Sequence, residues 1–421
     1  MKFSFIFQFS LNYYIWQINV IINKKFSLIP LSIHNFFKIK EHKRQVCFFI
    51  MDISKNIGLL YYFIPFLKSP SIIENKLSIV LSLFFGQKSI KIKIRNLPPL
   101  IFNIVDYGLM INFVGTLAFS TNYSLVDKKY VELSFDFNHK FRIPIYEHSE
   151  EDKNLIELLY LCSRDGADFI TDKNENITEF RNKTLKIYEG KGKKIIETFS
   201  GIKFYLDSIH PGNTIMECFT DDIHTIRYSD TMTGKTVVDV GAECGDTPLY
   251  YASKGAKVFA FEPILSNFNS MLRNISLNPT LSKKIVPINA AVGKDGTLNF
   301  FQSPETPTIG SSFVYNRYGD KAKTTEVKGY SFERIIKEFN INTIDLLKLD
   351  CKGCDIYLNK EILKHVVEVK IEYMSQFTSK KLEELKQLLE TSGFVCTIYR
   401  TSPFSRISNK LNGHIYGKKI K

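Results

Sequence analysis

Acidic residues follow apolar segments at three places in the C-terminal half of the chain. Asp239 lies near the end of "TVVDV", Glu262 ends "KVFAFE" and Asp350 ends "IDLLKLD". Carboxylates at such positions can accept hydrogen bonds from hydroxyl groups, attract a cation or take a proton from a reacting group. In open parallel sheets, ligands bind at the carboxyl ends of the strands, so we expect these residues to surround one site.

The loop after the first of these segments, in "VVDVGAECGD", has the glycines of a cofactor loop. Gly241 and Gly245 flank it, and Glu262 follows Gly241 by 21 residues. Glycine allows close backbone approach to a ligand, and an acidic residue at the end of the second strand can accept hydrogen bonds from two ribose hydroxyls. The alternative interpretation is a strand-to-helix turn that binds nothing.

The spacing within this loop discriminates between nucleoside cofactors. A dinucleotide site requires G-x-G-x-x-G, whose backbone and helix N-terminus hold a pyrophosphate. Here the pattern is D-x-G-x-x-x-G with Glu243 inside it, and a carboxylate at that place repels phosphate. The sulfonium and amino groups of S-adenosylmethionine are instead attracted by acidic residues. The residues therefore favour S-adenosylmethionine over NAD.

The elements that position these residues alternate between strand and helix after Asp207. Continuous apolar strands separated by amphipathic helices predict a parallel sheet covered on both faces. We therefore expect residues 206–421 to form an α/β domain with a doubly wound, mostly parallel sheet. Residues 51–205 contain the period-two segments "SIKIKIR" and "VELSFDF" and predict a smaller mixed α+β domain. The apolar run Ile101–Ser120 contains Asn and Asp, so a buried helix is favoured over a membrane span.

The first fifty residues differ in composition from the rest. They contain no Gly, Ala, Asp or Thr and include the only tryptophan, Trp16. Polar residues interrupt the apolar character between Phe3 and Ile22, which argues against a membrane span, and no small-residue cleavage site indicates a secretory signal. We regard residues 1–50 as an atypical extension and expect the natural chain to begin at Met51.

Composition constrains the partners and the compartment. The chain of 421 residues is 44% hydrophobic and 24% charged, as in ordinary globular proteins. Its 56 Lys and Arg against 43 Asp and Glu give a net charge of +13, which suits anionic partners, including a membrane surface, or simply a solvated basic surface. Seven scattered cysteines favour a reducing cytoplasm. Cys351 and Cys354 form a lone CxxC without a second ligand pair, so we predict no metal site and expect small side chains packed against the sheet.

Three separated motifs, taken together, resemble one family. "VVDVGAECGDTPLYYASKGAKVFAFEP", "NAAVGKDGTLNFF" and "DLLKLDCKGCD" are similar, in this order, to motifs of the FkbM-type class I S-adenosylmethionine-dependent methyltransferases. The resemblance covers about residues 210–400 and implies a Rossmann-like fold. It also implies S-adenosylmethionine as cofactor and a methyl acceptor of the hydroxyl class.

The resemblance also implies roles for individual residues. Asp239, Gly241 and Gly245 would shape the pocket of the methionine moiety, Glu262 would hold the ribose, and Asp350 would face the methyl group and the acceptor. The full set of predicted cofactor residues is Asp239, Gly241, Ala242, Gly245, Glu262, Asn289 and Ala290. The sequence departs from the family pattern at Glu243 and Cys244, and at Lys352, which replaces the Glu of "DxEGxE".

If the acceptor is a hydroxyl, a base must take its proton as the C–O bond forms. Asp350 is the first candidate for this base and Glu372 the second, although acidic residues at strand ends also cap helices or pair with lysines. Ser311 and Ser312 lie in an insertion that we expect over the cleft, where loops commonly select substrates.

The leading hypothesis is O-methylation of a hydroxyl on a saccharide, glycolipid or secondary metabolite. The alternatives are an RNA ribose methyltransferase, suggested by the basic charge and by Lys370, Glu372 and Asp350, and a non-catalytic S-adenosylmethionine-binding protein, suggested by Lys352. Nucleic acid is the less favoured partner, because the preceding domain has no aromatic and basic platform of the kind that binds single strands.

Overall fold

A computed structural model describes residues 73–420 with gaps, the longest of which are 172–183, 221–230, 304–310, 375–381 and 401–411. The described residues all belong to one compact unit. The predictions for residues 1–50 and for the apolar segment after Met51 lie outside the described residues. The predicted division into domains at residue 205 stays a prediction. No helix in the described part of the chain is long and apolar enough to cross a membrane.

The described part of the chain before residue 206 folds into small sheets and helices. The period-two prediction is confirmed in the first strand, where Ile90 and Ile92 are buried while Lys91 is exposed. The predicted helix over Ile101–Ser120 is confirmed over Tyr107–Phe119, whereas residues 101–103 lie in an antiparallel strand. The elements are β1 (Ser89–Ile92), β2 (Leu100–Asn103), α1 (Tyr107–Phe119), β3 (Asn122–Val126), β4 (Tyr130–Ser134), β5 (Lys140–Pro144) and α2 (Glu150–Asp165).

A four-stranded sheet follows, in the order β6-β7-β8-β9, with only the β6–β7 pair parallel. Its strands are β6 (Asp168–Thr171), β7 (Thr184–Gly190), β8 (Lys193–Glu197) and β9 (Lys203–Tyr205). The chain then forms a 3-10 turn at Leu206–Ser208 and a π-helix at Gly212–Thr220. π-Helical segments are rare and often lie at functional sites.

The C-terminal half contains the predicted doubly wound sheet, with seven strands in the order β12-β11-β10-β16-β17-β19-β18. All neighbours are parallel except those of β19, which is antiparallel to both β17 and β18. The strands are β10 (Thr236–Val240), β11 (Lys257–Phe261), β12 (Ile285–Ile288), β16 (Ile344–Leu349), β17 (Val366–Met374), β18 (Phe394–Arg400) and β19 (Asn412–Lys419).

Helices cover this sheet, so the central strands are apolar on both faces. In β10, for example, every residue from Val237 to Val240 is buried. The helices are α3 (Asp246–Ser253), α4 (Leu265–Ser276), α5 (Pro279–Ser282), α6 (Phe332–Glu338), α7 (Lys360–Lys364) and α8 (Leu382–Thr391). The insertion between β12 and β16 forms a three-stranded sheet of β13 (Ala291–Val292), β14 (Gly296–Gln302) and β15 (Lys323–Tyr330).

The strand order places a topological switch point between β10 and β16. From β10 the chain moves outward to β11 and β12, and it returns to the other side of β10 at β16. The loops after β10 and β16 therefore diverge from neighbouring strand ends and leave a crevice between them. The backbone N–H of Asp350 donates to the carbonyl of Val240 at 2.9 Å, which fixes the two strand ends side by side.

Asn274 in α4 and Asn278, two residues after its end, join the cofactor-loop region to the preceding sheet. Asn278 accepts from the backbone N–H of Lys203 at 3.0 Å and donates to its carbonyl at 2.8 Å. One turn earlier, Asn274 accepts from the N–H of Tyr205 at 3.0 Å and donates to the carbonyl of Cys244 at 2.9 Å. The amides thus pair with the β9 backbone as a neighbouring strand would.

We expect Asn274→Ala to destabilise the protein by about 2–4 kcal/mol, because it leaves the buried carbonyl of Cys244 and the partly buried N–H of Tyr205 without their partner. Denaturant unfolding monitored by circular dichroism measures this loss. Ser276→Ala on the exposed side of the same helix is the control and should change stability by less than about 0.5 kcal/mol. Equal stability of the two variants would contradict the bridging role of Asn274.

Candidate functional site

The loop after β10 needs both of its glycines. Gly241 has φ +80° and Gly245 has φ +90°, in the left-handed region that favours glycine. A Cβ on Gly241 would also collide with the carbonyl oxygen of Asp350, and one on Gly245 would lie 2.9 Å from Cγ of Met271. The buried Ala242 donates its N–H to the carbonyl of Phe261 at 3.0 Å. The loop therefore packs closely against Asp350 on one side and Met271 of α4 on the other.

Asp239 lies beneath the loop and is fully buried. Its Oδ1 is 3.0 Å from Nζ of Lys348 on β16, and its Oδ2 accepts from Oγ1 of Thr247 at 2.6 Å. Lys348 also donates to the carbonyl of Gly241 at 2.9 Å. Burial alone lowers the pKa of Lys348, but Asp239 and the nearby Asp350 raise it above its ordinary value. Asp239 thus shapes the loop through a buried ion pair, and sequence reasoning missed its partner, Lys348.

Glu262 meets the loop from the end of β11. Its Oε2 accepts from the backbone N–H of Glu243 at 3.0 Å, and its Oε1 accepts from the N–H of Ile264 at 2.9 Å. Asn289, predicted beside the adenine, donates its amide to the carbonyl of Glu262 at 2.8 Å. Ala290 follows it and is buried. The structure therefore brings Glu262 and Asn289 together at the strand ends next to the loop.

Carboxyl groups concentrate around the loop, and burial raises their pKa values. Burial is the main cause for Glu243, whose pKa rises to about 7 with Asp350 as the second cause. The pKa of Asp246 rises to about 8, chiefly through burial and then through Glu243, and that of Glu262 also rises to about 8 through burial. Glu243 Oε1 lies 3.6 Å from Nε2 of His210 and finds no hydrogen-bond partner among the described residues. This arrangement favours a positively charged ligand.

The two predicted bases, Asp350 and Glu372, lie on neighbouring strand ends and are bridged by Lys352. Nζ of Lys352 is 2.7 Å from Oδ1 of Asp350 and also contacts Oε2 of Glu372. Burial lowers the pKa of Lys352, but the two carboxylates raise it well above its ordinary value. The pKa of Glu372 rises to about 8 because of burial and then Asp350, with Lys352 opposing the rise. The lysine that departs from the family pattern is therefore part of the site.

The loop that carries Lys352 is tightly held. Lys352 has φ +50° and Gly353 has φ +115°. Oγ of Ser312 donates to the carbonyl of Lys352 at 2.8 Å, so the insertion contacts this loop. Cys351 and Cys354 pack in the hydrophobic core, as expected, and they are also joined by a disulfide across Lys352 and Gly353 that the sequence analysis did not predict. The two cysteines are close in space because the left-handed residues between them turn the chain back.

Two further findings concern the serines of the insertion and the question of a metal site. Ser312 is buried and its hydroxyl also accepts from the N–H of Val314 at 3.1 Å, so it orders the insertion, and Ser311 is buried beside it. No group of three or more His, Cys, Asp or Glu among the described residues is arranged to hold a metal ion.

The switch-point crevice, the glycine loop and the acidic end of β11 define a Rossmann-like enzyme of the class that binds a nucleoside cofactor. Residues 239–393 match the model of the methyltransferase FkbM domain. Residues 239–393 therefore carry a methyltransferase FkbM domain, and the protein is an S-adenosylmethionine-dependent methyltransferase.

The known proteins to which this chain is similar share little sequence identity with it. "Methyltransferase sdnD" of Sordaria araneosa is 26% identical over 216 residues, which cover 43% of this chain and 81% of that protein. A magnesium protoporphyrin IX methyltransferase from Synechocystis PCC 6803 with bound cofactor is 10% identical, with coverage of 45% and 71% and a TM-score of 0.27. A putative O-methyltransferase from Klebsiella pneumoniae is 8% identical, with coverage of 44% and 74% and a TM-score of 0.26.

The residues present fit the cofactor of this family. Glu243 offers a buried carboxylate oxygen that has no hydrogen-bond partner among the described residues, as a cationic ligand requires. Each oxygen of Glu262 accepts one backbone N–H and so keeps a lone pair for a ribose hydroxyl.

Removal of Lys348 should strongly destabilise the protein, because the Asp239 carboxylate would remain buried without its counter-ion. We expect Lys348→Met to cost about 3–5 kcal/mol of unfolding free energy and the double variant Asp239→Asn, Lys348→Met to recover part of it. Urea unfolding measures both. Lys337→Met, at an exposed position of α6, is the control. A Lys348→Met variant as stable as this control would show that the ion pair is not required.

The affinity for S-adenosylmethionine relative to S-adenosylhomocysteine should rise with pH. Glu243 and Asp246, with pKa values near 7 and 8, lose their protons between about pH 6 and 9 and then attract the sulfonium charge that only the first ligand has. We expect a roughly three- to tenfold increase in the affinity ratio, measured by calorimetry. In Glu243→Gln the increase should be smaller, and a ratio independent of pH in the wild type would contradict this electrostatic account.

Proposed function

We propose that this methyltransferase methylates a hydroxyl group of a saccharide, glycolipid or secondary metabolite. The observation that carries the proposal is the Asp350–Lys352–Glu372 cluster at the switch-point crevice. A hydroxyl must lose a proton as it becomes an ether, and this cluster holds two carboxylates of which Glu372 has its pKa near 8. A carboxylate with a pKa close to the working pH suits general base catalysis.

The chain's own residues contribute binding, orientation and proton removal. When bound, S-adenosylmethionine supplies the methyl group as an activated sulfonium. Glu243 and Glu262 would hold the amino and ribose ends, while Asp350 would accept a hydrogen bond from the acceptor hydroxyl and so orient its oxygen. Lys352 keeps Asp350 and Glu372 at fixed positions, which favours transfer because alignment of nucleophile and methyl carbon accounts for most of the catalysis.

The two alternatives receive less support. RNA ribose methylation would use exposed basic residues against phosphates, whereas Lys370, which suggested it, is only 3% exposed. A non-catalytic protein was suggested by Lys352 in place of the family Glu. Since Lys352 binds both candidate bases instead of displacing them, the replacement is compatible with a working site.

We expect Asp350→Asn and Glu372→Gln to lower the rate of methyl transfer by about 100-fold or more, because each removes a candidate proton acceptor. The assay incubates the protein with methyl-labelled S-adenosylmethionine and fractions of host extract. The wild-type rate with saturating cofactor should fall as the pH drops below about 8, since Glu372 then holds a proton. Glu361→Gln, an exposed acidic position on α7, is the matched control.

The nature of the labelled product decides between the proposals. An ether methyl group resists mild alkali and ribonuclease, whereas a carboxyl ester is lost in alkali and labelled RNA is degraded. Cofactor-induced thermal stabilisation of the variants shows that binding is retained. Equal labelling by the wild type, Asp350→Asn and Glu372→Gln would refute the assignment of the bases.

A further inference from the structure

Lys370 on β17 is a buried basic group that the reaction described above does not use. It is 3% exposed, and its Nζ finds no hydrogen-bond partner among the described residues. Its register partner on β16 is Lys348, whose own ammonium is held by Asp239 and the carbonyl of Gly241. A buried amine without partners is costly when charged, which makes Lys370 a candidate functional group.

Lys370 lies on the same face of the sheet as the candidate bases. It is two residues before Glu372, so the two side chains point to the same side of β17. Asp350 is the first residue after β16 and comes two residues after Lys348, the register partner of Lys370. Its Cα therefore lies diagonally across from that of Lys370, at about 8 Å. The flexible four-carbon stem of a lysine can bridge much of that separation.

The groups that face Lys370 come from every element packed against it. They are Cys218 and Glu217 from the π-helix, Lys348 and Asp350 from the β16 side, Glu372 from β17 itself, and His414 and Tyr416 from β19. Burial lowers the pKa of Lys370 to about 7; Lys348 adds to this effect, while Cys218, Asp350 and Glu217 oppose it. The amine can therefore take up a proton near neutral pH.

We propose that Lys370 is the final acceptor of the proton that the acceptor hydroxyl loses, received through Asp350. This inference rests on the proposed function. The C–O bond forms with the oxygen's electron pair, and the S–C bond breaks with its electrons returning to sulfur. The O–H proton passes to the carboxylate of Asp350 and then to the neutral amine of Lys370. Lys370 therefore acts through Asp350 and does not touch the methyl group.

Charge conservation supports this assignment. Methyl transfer removes the positive charge of the sulfonium, and the same step would place a positive charge on Lys370. Asp350, whose charge acts on Lys370 and which is expected to face the methyl group, would then lie near one cation before and after the reaction. Because like charges disfavour each other in a desolvated site, Lys370 should bind its proton less tightly with the sulfonium present.

Binding of S-adenosylmethionine and of S-adenosylhomocysteine tests the proposal in the absence of a methyl acceptor. Calorimetry in buffers of different ionisation enthalpy gives the protons released when S-adenosylmethionine or S-adenosylhomocysteine binds at pH 7. For the wild type we expect a larger release with the sulfonium form. In Lys370→Met and Lys370→Arg this difference should shrink by about half a proton, because neither side chain titrates near neutral pH. Glu217→Gln is the matched control, since the pKa of Glu217 is also about 7.

An unchanged difference in both Lys370 variants, or its loss only in Glu217→Gln, would overturn the proposal. If neither variant folds, the wild type labelled with ¹³Cε-lysine provides a second measurement. One lysine resonance should titrate near neutral pH, at a lower pH with S-adenosylmethionine than with S-adenosylhomocysteine, and its absence would also overturn the proposal. Failure of the proposed function is distinct, because it would appear as a labelled product that is not an ether.

Discussion

The ion pair between Asp239 and Lys348 is the interaction on which the arrangement of the site depends. It joins the ends of β10 and β16 across the switch point, and the same ammonium holds the carbonyl of Gly241. Two charges removed from water are stable only when their hydrogen bonds are satisfied. Thr247 at the start of α3 donates to the other oxygen of Asp239, so the strand, the loop and the helix are fixed by one buried ion pair.

A second consequence concerns the charge of the crevice. Lys348 neutralises Asp239 and Lys352 lies between Asp350 and Glu372, but Glu243, Asp246 and Glu262 remain close together around the loop. Burial and mutual repulsion raise the pKa values of these carboxyl groups, so part of the cluster is protonated near neutral pH. A cationic cofactor relieves that repulsion, which couples its binding to the release of protons.

Sequence alone predicted the α/β sheet well, because its central strands are continuous apolar runs and its helices are amphipathic. It did not predict β19 (Asn412–Lys419), whose Gly, His and Lys residues interrupt the pattern even though it pairs along its length with β17. The predicted site residues Asp239, Gly241 and Glu262 do lie together. The role of Lys348 was hidden, because one lysine within an apolar strand gives no signal of its partner 109 residues earlier along the chain.

Lys352 shows why a departure from a family pattern must be interpreted in three dimensions. A glutamate at this position would add a third carboxylate to Asp350 and Glu372, and mutual repulsion would favour protonation of at least one of them. The lysine instead lies between the two carboxyl groups, where its positive charge opposes the rise in the pKa of Glu372. The left-handed turn at Lys352, the disulfide across it and the hydrogen bond from Ser312 hold the ammonium in that place. The replacement therefore changes how the bases are held and lowers the charge of the site while leaving both carboxylates at the strand ends.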